Sequence, residues 1–219
     1  MRTILHFCII SILVTLVSCA KEYSYEGGTI PPANSSGGTS GTSNNNSFTY
    51  YYKATIGTTD YNQQVTTSNG YMAASASSGS DDVVLSASIR PSQSPYPTNT
   101  TSLEVQKGTL HNFSSIKEDQ FTSFFSPGNC RYAASGGTID GVIIKWTDKQ
   151  GNVWSTTNGS GDQSNSYFII SGYDGGHDAS GNLYVRVTAL FNCTLYKQTT
   201  GEQLQLTNGE FVGKYSKGQ

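Results

Sequence analysis

Residues 173–182, YDGGHDASGN, combine oxygen-bearing side chains with flexible backbone. Asp174, Asp178 and Asn182 offer carboxylate and amide oxygens, which are the ligands that Ca²⁺ prefers. The spacing matches no EF-hand loop, and a plain hairpin loop between strands expected at 167–172 and 183–196 accounts for the same residues. The hairpin interpretation is therefore favoured over a calcium site, and no other cofactor is indicated.

Two cysteines, Cys130 and Cys193, are candidates for a disulfide. In an exported protein such a bond persists, because the compartment outside the cytoplasm is oxidising. A bridge between them would close about 62 residues and stabilise the fold by about 2–4 kcal/mol. Two unrelated buried thiols are the alternative. Catalysis by either thiol requires a nearby base, and His111 and His177 are both distant in sequence.

Motifs of nucleophilic or metal catalysis do not occur in the sequence, which has no GxSxG, HExxH, CxxC or phosphate-binding P-loop. The aspartates lie mostly in turns, where Asp bonds to its own backbone. We therefore predict no catalytic residue. Paired carboxylates from distant strands, as in glycoside hydrolysis, would leave no motif, so a hydrolase stays an alternative.

Aromatic rings offer another kind of chemistry, because an exposed ring can stack on the apolar face of a sugar. Tyr51 lies between two tyrosines and must point opposite to both in a strand. Trp146 belongs to a core-like segment, whereas Trp154 follows the turn DKQGN and is expected near a loop. Tyr51 and Trp154 are the candidate ligand-binding residues. The alternative is that such rings line sheet surfaces without a ligand.

The first nineteen residues indicate export and lipid attachment. Arg2 precedes an apolar run from Ile4 to Val17, which is shorter than the roughly 20 residues needed to span a membrane and is typical of a secretory signal. Leu16-Val17-Ser18-Cys19 resembles the lipobox of bacterial lipoproteins. The resemblance implies a signal peptide at 1–18 and fatty acyl chains, such as palmitate, on Cys19 that anchor the protein to a membrane. An ordinary cleaved signal with an incidental cysteine is the alternative.

Residues 19–47 are predicted to be the lipidated cysteine and a disordered tether, because Gly, Ser, Thr, Asn and Pro dominate the segment. Loss of Arg2 with the signal changes the formal charge from −2 to −3. This balance provides no basic surface for nucleic acid. The partners expected are the membrane, through the lipid, and a glycan or another envelope protein.

From residue 48 onward, short β-rich runs alternate with turn residues. Residues 183–196, LYVRVTALFNCTLY, alternate apolar and polar side chains, which predicts a strand with one buried face, and 83–89 repeats this pattern. Asn208-Gly209 is a strong hairpin-turn signal. Residues 115–118 have the spacing of a capping box and predict one short helix.

These elements predict a single all-β domain over 48–219, an antiparallel β-sandwich of immunoglobulin-like or jelly-roll-like topology with one short connecting helix. LEVQKGTL at 103–110 aligns with LQLTNGEF at 204–211. Residues 48–113 and 138–215 are therefore candidates for two copies of one β unit. The alternative, that β hairpins simply look alike, is equally open.

The whole chain resembles β-rich lipoproteins of Gram-negative outer membranes, a group that implies no particular activity. The signal, the tether and the segments WTDKQGNVWST and LTNGEFVGKY carry this resemblance. It implies an outer-membrane location, and the periplasmic and cell-surface faces both stay open. We expect a non-catalytic, lipid-anchored domain with a binding or structural role; a glycan-binding accessory module and an envelope hydrolase are the alternatives.

Overall fold

Eleven β-strands make up most of residues 49–134 and 140–218, the parts of the chain that this computed structural model describes. In chain order the strands are β1 (Tyr51–Ile56), β2 (Thr59–Gln64), β3 (Tyr71–Ser78), β4 (Val83–Pro91), β5 (Ser102–Leu110), β6 (Gly128–Asn129), β7 (Ile143–Thr147), β8 (Val153–Ser155), β9 (Tyr167–His177), β10 (Leu183–Lys197) and β11 (Gln203–Lys217). A 3₁₀ turn (Phe113–Ser115) and one helix, α1 (Glu118–Ser123), lie between β5 and β6.

The described strands pair antiparallel within one sheet, in the order β2-β1-β11-β10-β8-β7-β5-β4-β3, with β9 on β10 and β6 on β9. The sheet curls until β3 approaches β11, where the Ser216 amide donates to Ser75 Oγ at 2.8 Å. This nearly closed, barrel-like sheet confirms an antiparallel all-β fold. A sandwich of two separate sheets is not confirmed, because continuous pairing joins the strands into one sheet.

Alternation along the strands decides which side chains form the core. On β10, Val185, Ala189 and Phe191 are fully buried, whereas Leu190 on the opposite face is 39% exposed. The predicted inward positions of β4 are also fully buried. Because each strand has one apolar face, curling the sheet encloses those faces together.

The hairpin predicted at Asn208-Gly209 is wrong, because β11 continues through both residues. Gly209 pairs with Phe191 and Leu206 pairs with Cys193, so β11 contains one extra residue there and forms a β-bulge. Asn208 adopts a left-handed conformation with φ of 52°. A Cβ atom on Gly209 would lie 2.6 Å from Phe191 Cε2, so the glycine admits that ring.

The short helix is confirmed, although its first turn differs from the predicted capping box at 115–118. α1 begins at Glu118, and the Lys117 amide donates to Gln120 Oε1 at 3.0 Å. After the helix, the ring of Phe125 is fully buried and lies 4.7 Å from the ring of Tyr215, measured between centroids. The helical segment therefore supplies aromatic side chains to the core of the sheet.

The strand pairing interleaves the two halves proposed from the sequence. The β1–β2 hairpin of the first half pairs with β11, and the β7–β8 hairpin of the second half pairs with β5. The aligned segments 103–110 and 204–211 both continue through a bulge, at Lys107 and Asn208. The last strand of each half therefore pairs with a hairpin from the other half. The duplication itself stays a prediction.

The predicted signal peptide, the lipidation site Cys19 and the tether lie outside the described residues. Within 49–134 and 140–218, no helix has the length and apolar composition needed to cross a membrane. Attachment through lipid therefore stays a prediction from the sequence.

Candidate functional site

The candidate calcium ligands are engaged by other groups of the protein. Asp174 lies on β9, and its carboxylate pairs with Arg186 on β10. Asp178 Oδ1 accepts a hydrogen bond from the Asn182 amide at 3.0 Å, and Oδ2 faces Lys214 Nζ at 3.5 Å. The bond from the Asn182 amide is the main reason that the pKa of Asp178 lies below its usual value. Asp178 and Asn182 thus bond to each other, and Asp174 pairs with an arginine. The described residues contain no cluster of three or more His, Cys, Asp or Glu that could hold a metal ion.

Cys130 and Cys193 do not form the predicted disulfide, and both thiols are free. The Cys130 amide donates to Phe168 O on β9 at 2.8 Å, and β9 in turn pairs with β10, which carries Cys193. Two strand spacings amount to about 10 Å, whereas bonded cysteines have Cα atoms within about 7 Å. Burial raises the pKa of the Cys193 thiol, which keeps it in its unreactive, protonated form.

The two histidines of the described residues, His111 and His177, occupy exposed positions beside carboxylates. His111 Nδ1 lies 2.8 Å from Asp82 Oδ1, and His177 Nε2 lies 3.9 Å from Glu118 Oε2. An envelope hydrolase of the cysteine type would need a thiol beside one of these rings. Cys193 is buried in the core, and the polar contact of the Cys130 thiol is with Gly128 O at 4.0 Å, so neither described thiol is paired with a histidine.

Tyr51 follows the predicted alternation, with Tyr52 fully buried on the opposite face of β1. The Tyr51 hydroxyl donates to the Glu210 carboxylate, and Lys53 Nζ lies 4.8 Å from the centre of the Tyr51 ring. Lys53 also lies 3.6 Å from Glu210 Oε2. Because the hydroxyl and one ring face are already in contact with neighbours, Tyr51 is a poor platform for a sugar.

Trp154 is only 4% exposed, so the expectation that its ring is presented near a loop is wrong. β8 is enclosed on both sides: Trp154 pairs with Trp146 on β7 and with Lys197 at the end of β10. The Trp154 Nε1 group donates to Asp148 Oδ2 at 3.0 Å. Trp154 therefore supports the turn at 148–152 from inside the protein.

Asp148 holds that turn in a defined shape. Its Oδ1 atom accepts hydrogen bonds from the amides of Gln150 at 2.9 Å and Asn152 at 2.8 Å, and Oδ2 accepts from Asn152 Nδ2 at 2.8 Å. Burial raises the pKa of Asp148, but the hydrogen bond from Trp154 and those within the turn outweigh it, so the pKa lies below its usual value. The next residue, Lys149, is exposed on a rigid turn.

A pocket of about 170 Å³ opens between this turn and the β4–β5 loop, residues 92–101. The two loops are joined by a hydrogen bond from the Asn99 amide to Lys149 O at 3.2 Å. At about 30 Å³ per water molecule, the pocket has room for about five or six waters, or one small ring. We call it the Tyr96 pocket; its lining residues are Tyr96, Pro97, Thr98, Thr100, Thr147, Asp148, Lys149, Gln150 and Gly151.

Tyr96 is the aromatic residue that this pocket presents to solvent, with 40% of its surface exposed. Its hydroxyl accepts a hydrogen bond from Arg90 Nη1 at 3.4 Å. Pro97 disfavours a helical backbone at Tyr96, the residue before it, and the ring of Pro95 fixes its own φ on the other side. The signal in the sequence is SPYPT at 94–98, an aromatic residue between prolines in a connecting loop. Tyr96 is not among the ligand-binding residues predicted from the sequence.

A second pocket, of about 180 Å³, lies near Cys130 and is lined by Lys107, Phe124 and Arg131 among others. Its aromatic ring is covered, because Lys107 Nζ lies 4.6 Å from the centre of the Phe124 ring. Arg131 is paired with Asp140. The charged groups of this pocket are thus engaged with each other or with the ring.

Comparisons with protein-family models, curated proteins and solved structures give no match to this chain. In physical terms, the chain is an antiparallel all-β domain with a small pocket built from two loops and lined by an exposed tyrosine. A fold class by itself does not specify an activity, so function is argued from the site.

Proposed function

We propose that this chain is a lipid-anchored protein of the bacterial outer membrane whose β domain is a non-catalytic glycan-binding module. The Tyr96 pocket carries this proposal. One face of a pyranose ring is formed by C–H groups, which pack on an aromatic ring such as that of Tyr96. The sugar hydroxyls then meet polar atoms of Thr98, Thr100 and Gln150, which line the same pocket.

Rigidity of the two loops supports a binding role. The Asp148 carboxylate accepts three hydrogen bonds within the 148–152 turn and a fourth from Trp154, and the Asn99–Lys149 bond ties the facing loop to the turn. A pocket that is already ordered loses little conformational entropy when a ligand binds. A polyhydroxylated ligand, whose individual contacts are weak, therefore binds more tightly to this pocket than to a disordered one.

The lipid anchor on Cys19 supports placing this domain at the envelope. The predicted tether at 19–47 would connect the anchor to the β domain, which begins near Tyr51. The more general proposal is a non-catalytic domain with a structural or binding role at the envelope. The Tyr96 pocket favours the glycan-binding form.

We further propose that the curled sheet is a distorted sandwich, with the β10–β11 side packed against the β4–β5 side. Tyr215 on β11 supports this, since its hydroxyl donates to Val105 O on β5 at 3.1 Å across the core. Tyr215 is buried, as is Val105. The immunoglobulin-like and jelly-roll-like topologies are two forms of this proposal.

Lipid attachment is tested with Cys19→Ser in the full-length protein expressed in a Gram-negative host. We expect the wild type to incorporate radiolabelled palmitate and sediment with the outer membrane. Cys19→Ser should lose the label and leave the membrane fraction. Equal labelling of both proteins would contradict the anchor.

Glycan binding is tested with the full-length lipoprotein in detergent on a glycan array, in Ca²⁺ and separately in EDTA. We expect Tyr96→Ala to weaken binding roughly tenfold, equivalent to about 1.4 kcal/mol. Tyr167→Ala is the matched control, because Tyr167 is similarly exposed, at 42%, and lies on β9 outside the pocket. Folded wild type that binds no glycan, or Tyr96→Ala that binds like wild type, would overturn the proposal.

A further inference from the structure

Two positively charged side chains flank the Tyr96 pocket. Arg90 reaches the Tyr96 hydroxyl, and Lys149 lines the pocket from the 148–152 turn. Within the described residues, neither has a carboxylate at ion-pair distance. Other cations of the domain face carboxylates at 3.5–3.9 Å, namely Lys53, Lys145, Lys197 and Lys214.

Asp148, the carboxylate next to Lys149 in sequence, is not available to neutralise these two positive charges. Asp148 lines the pocket but is only 8% exposed. Both of its oxygens accept two hydrogen bonds each from the turn and from Trp154. Its negative charge is therefore engaged from inside the protein. Arg90 is half-buried beside Tyr96, and the exposed Lys149 has its Nζ atom 6.0 Å from the centre of the Tyr61 ring.

We propose that the Tyr96 pocket selects acidic sugars, with Arg90 and Lys149 binding the carboxylate of a uronic acid whose ring stacks on Tyr96. This inference rests on the proposed function and names its ligand class. A guanidinium group matches a carboxylate in a two-point hydrogen bond, and an ammonium group adds a second positive charge. A neutral sugar would supply neither cation with an anionic partner in the complex.

The loops that form the pocket are longer than the corresponding loops elsewhere in the fold, which supports a binding role for them. The pocket is built from the β4–β5 connection at 92–101 and the β7–β8 connection at 148–152. The corresponding connections of the other half, at 198–202 and 57–58, are both shorter. The halves thus share their strand order and differ at the loops that form the pocket, and loops on a rigid scaffold are where binding residues concentrate.

The test compares polygalacturonate with its fully methyl-esterified form, which keeps the sugar ring and linkage but has no charge. We expect the full-length lipoprotein in detergent, with EDTA present, to bind the acid polymer at least tenfold more tightly than the ester. Raising NaCl from 50 to 500 mM should weaken binding of the acid polymer, because salt screens exposed charges. Binding of the ester should change little.

Variants separate the charges of the pocket from general attraction. Arg90→Gln and Lys149→Gln should each weaken binding of the acid polymer about fivefold or more, and the ratio of acid to ester affinity should fall toward one. Lys145→Gln is the control, since Lys145 already faces Glu104 at 3.5 Å and lies outside the pocket. Thermal melting confirms that each variant is folded.

The outcomes distinguish this inference from the function on which it rests. Equal affinity for the two polymers, or an equal loss in Lys145→Gln, overturns selection of acidic sugars. Tyr96-dependent binding to neutral glycans alone does the same and leaves the glycan-binding function standing. Absence of binding to every glycan overturns both.

Discussion

The hydrogen bonds of Asp148 provide a direct test of how the pocket is supported. In Asp148→Asn, one acceptor oxygen is replaced by an amide nitrogen, which is a donor. If the remaining oxygen keeps the backbone bonds of the turn, the new NH₂ group faces Asn152 Nδ2 and Trp154 Nε1, both of which are donors. The Trp154 N–H then has no acceptor in a site where its ring is 4% exposed.

The size of the effect follows from burial. A buried donor without a partner costs about 1–3 kcal/mol, and hydrogen bonds to a charged group are each worth about 1.5–3 kcal/mol. We therefore expect Asp148→Asn to lower the free energy of unfolding by about 2–4 kcal/mol. For a domain of this size, that corresponds to a Tm lower by roughly 4–16 °C.

Asp178→Asn is the matched control, because residues 178–182, DASGN, have the same pattern as 148–152, DKQGN. Asp178 receives the equivalent amide bonds from Ser180 and Asn182, both at 3.0 Å, but no tryptophan contacts it. We expect a smaller loss of stability there, measured for both variants by calorimetry. Equal losses, or an unchanged Tm in Asp148→Asn, would refute the role assigned to the Trp154 bond.

The same bond makes the difference between wild type and Asp148→Asn depend on pH. The pKa of Asp148 is lower in the folded state than the ordinary value of about 3.9. Its contribution is therefore fully present well above pH 4 and is lost as pH falls through the lower, folded pKa. Denaturant titrations at pH 7 and pH 3 should show the two proteins converging in acid; a constant gap would contradict this reasoning.

Two further changes test the core. Gly209→Ala should lower the free energy of unfolding by about 1–3 kcal/mol, because the added methyl group overpacks against Phe191. The control Gly172→Ala has open space around the new Cβ atom and should change the free energy of unfolding little. Equal effects of the two substitutions would contradict the bulge geometry. In the folded protein, a maleimide should label Cys130 and leave Cys193 unlabelled until denaturant is added, because Cys193 is buried. Mass spectrometry measures the labelling, and rapid labelling of Cys193 would contradict the closed core.

Side-chain alternation was sufficient to predict the long strands. The seven apolar positions predicted to point inward on β10 are buried, since a period of two places them on one face whichever strand lies beside it. The same holds for Leu85, Ala87 and Ile89 on β4. The buried face of a strand is a local property, and local patterns in the sequence report it.

Turns and pockets were predicted less well from the sequence than the strands were. Asn208-Gly209 has the composition of a hairpin turn, yet both neighbours of β11 pair on either side of it, and this long pairing makes the segment a bulge. Trp154 follows a turn and is nonetheless enclosed, because the end of β10 pairs with β8. In both cases strands distant in sequence decide the outcome.

The sequence by itself determined the all-β class, the inward face of the main strands and the short helix, because each depends on side chains a few residues apart. The resemblance of Leu16-Val17-Ser18-Cys19 to a lipobox, on which the proposed anchor rests, also comes from the sequence alone. Only the tertiary structure decided that the strands form one curled sheet with interleaved hairpins, that Cys130 and Cys193 are apart, and that residues 92–101 meet 148–152 around Tyr96. Those features depend on which distant strands pair, and a linear pattern of residues does not specify the partners.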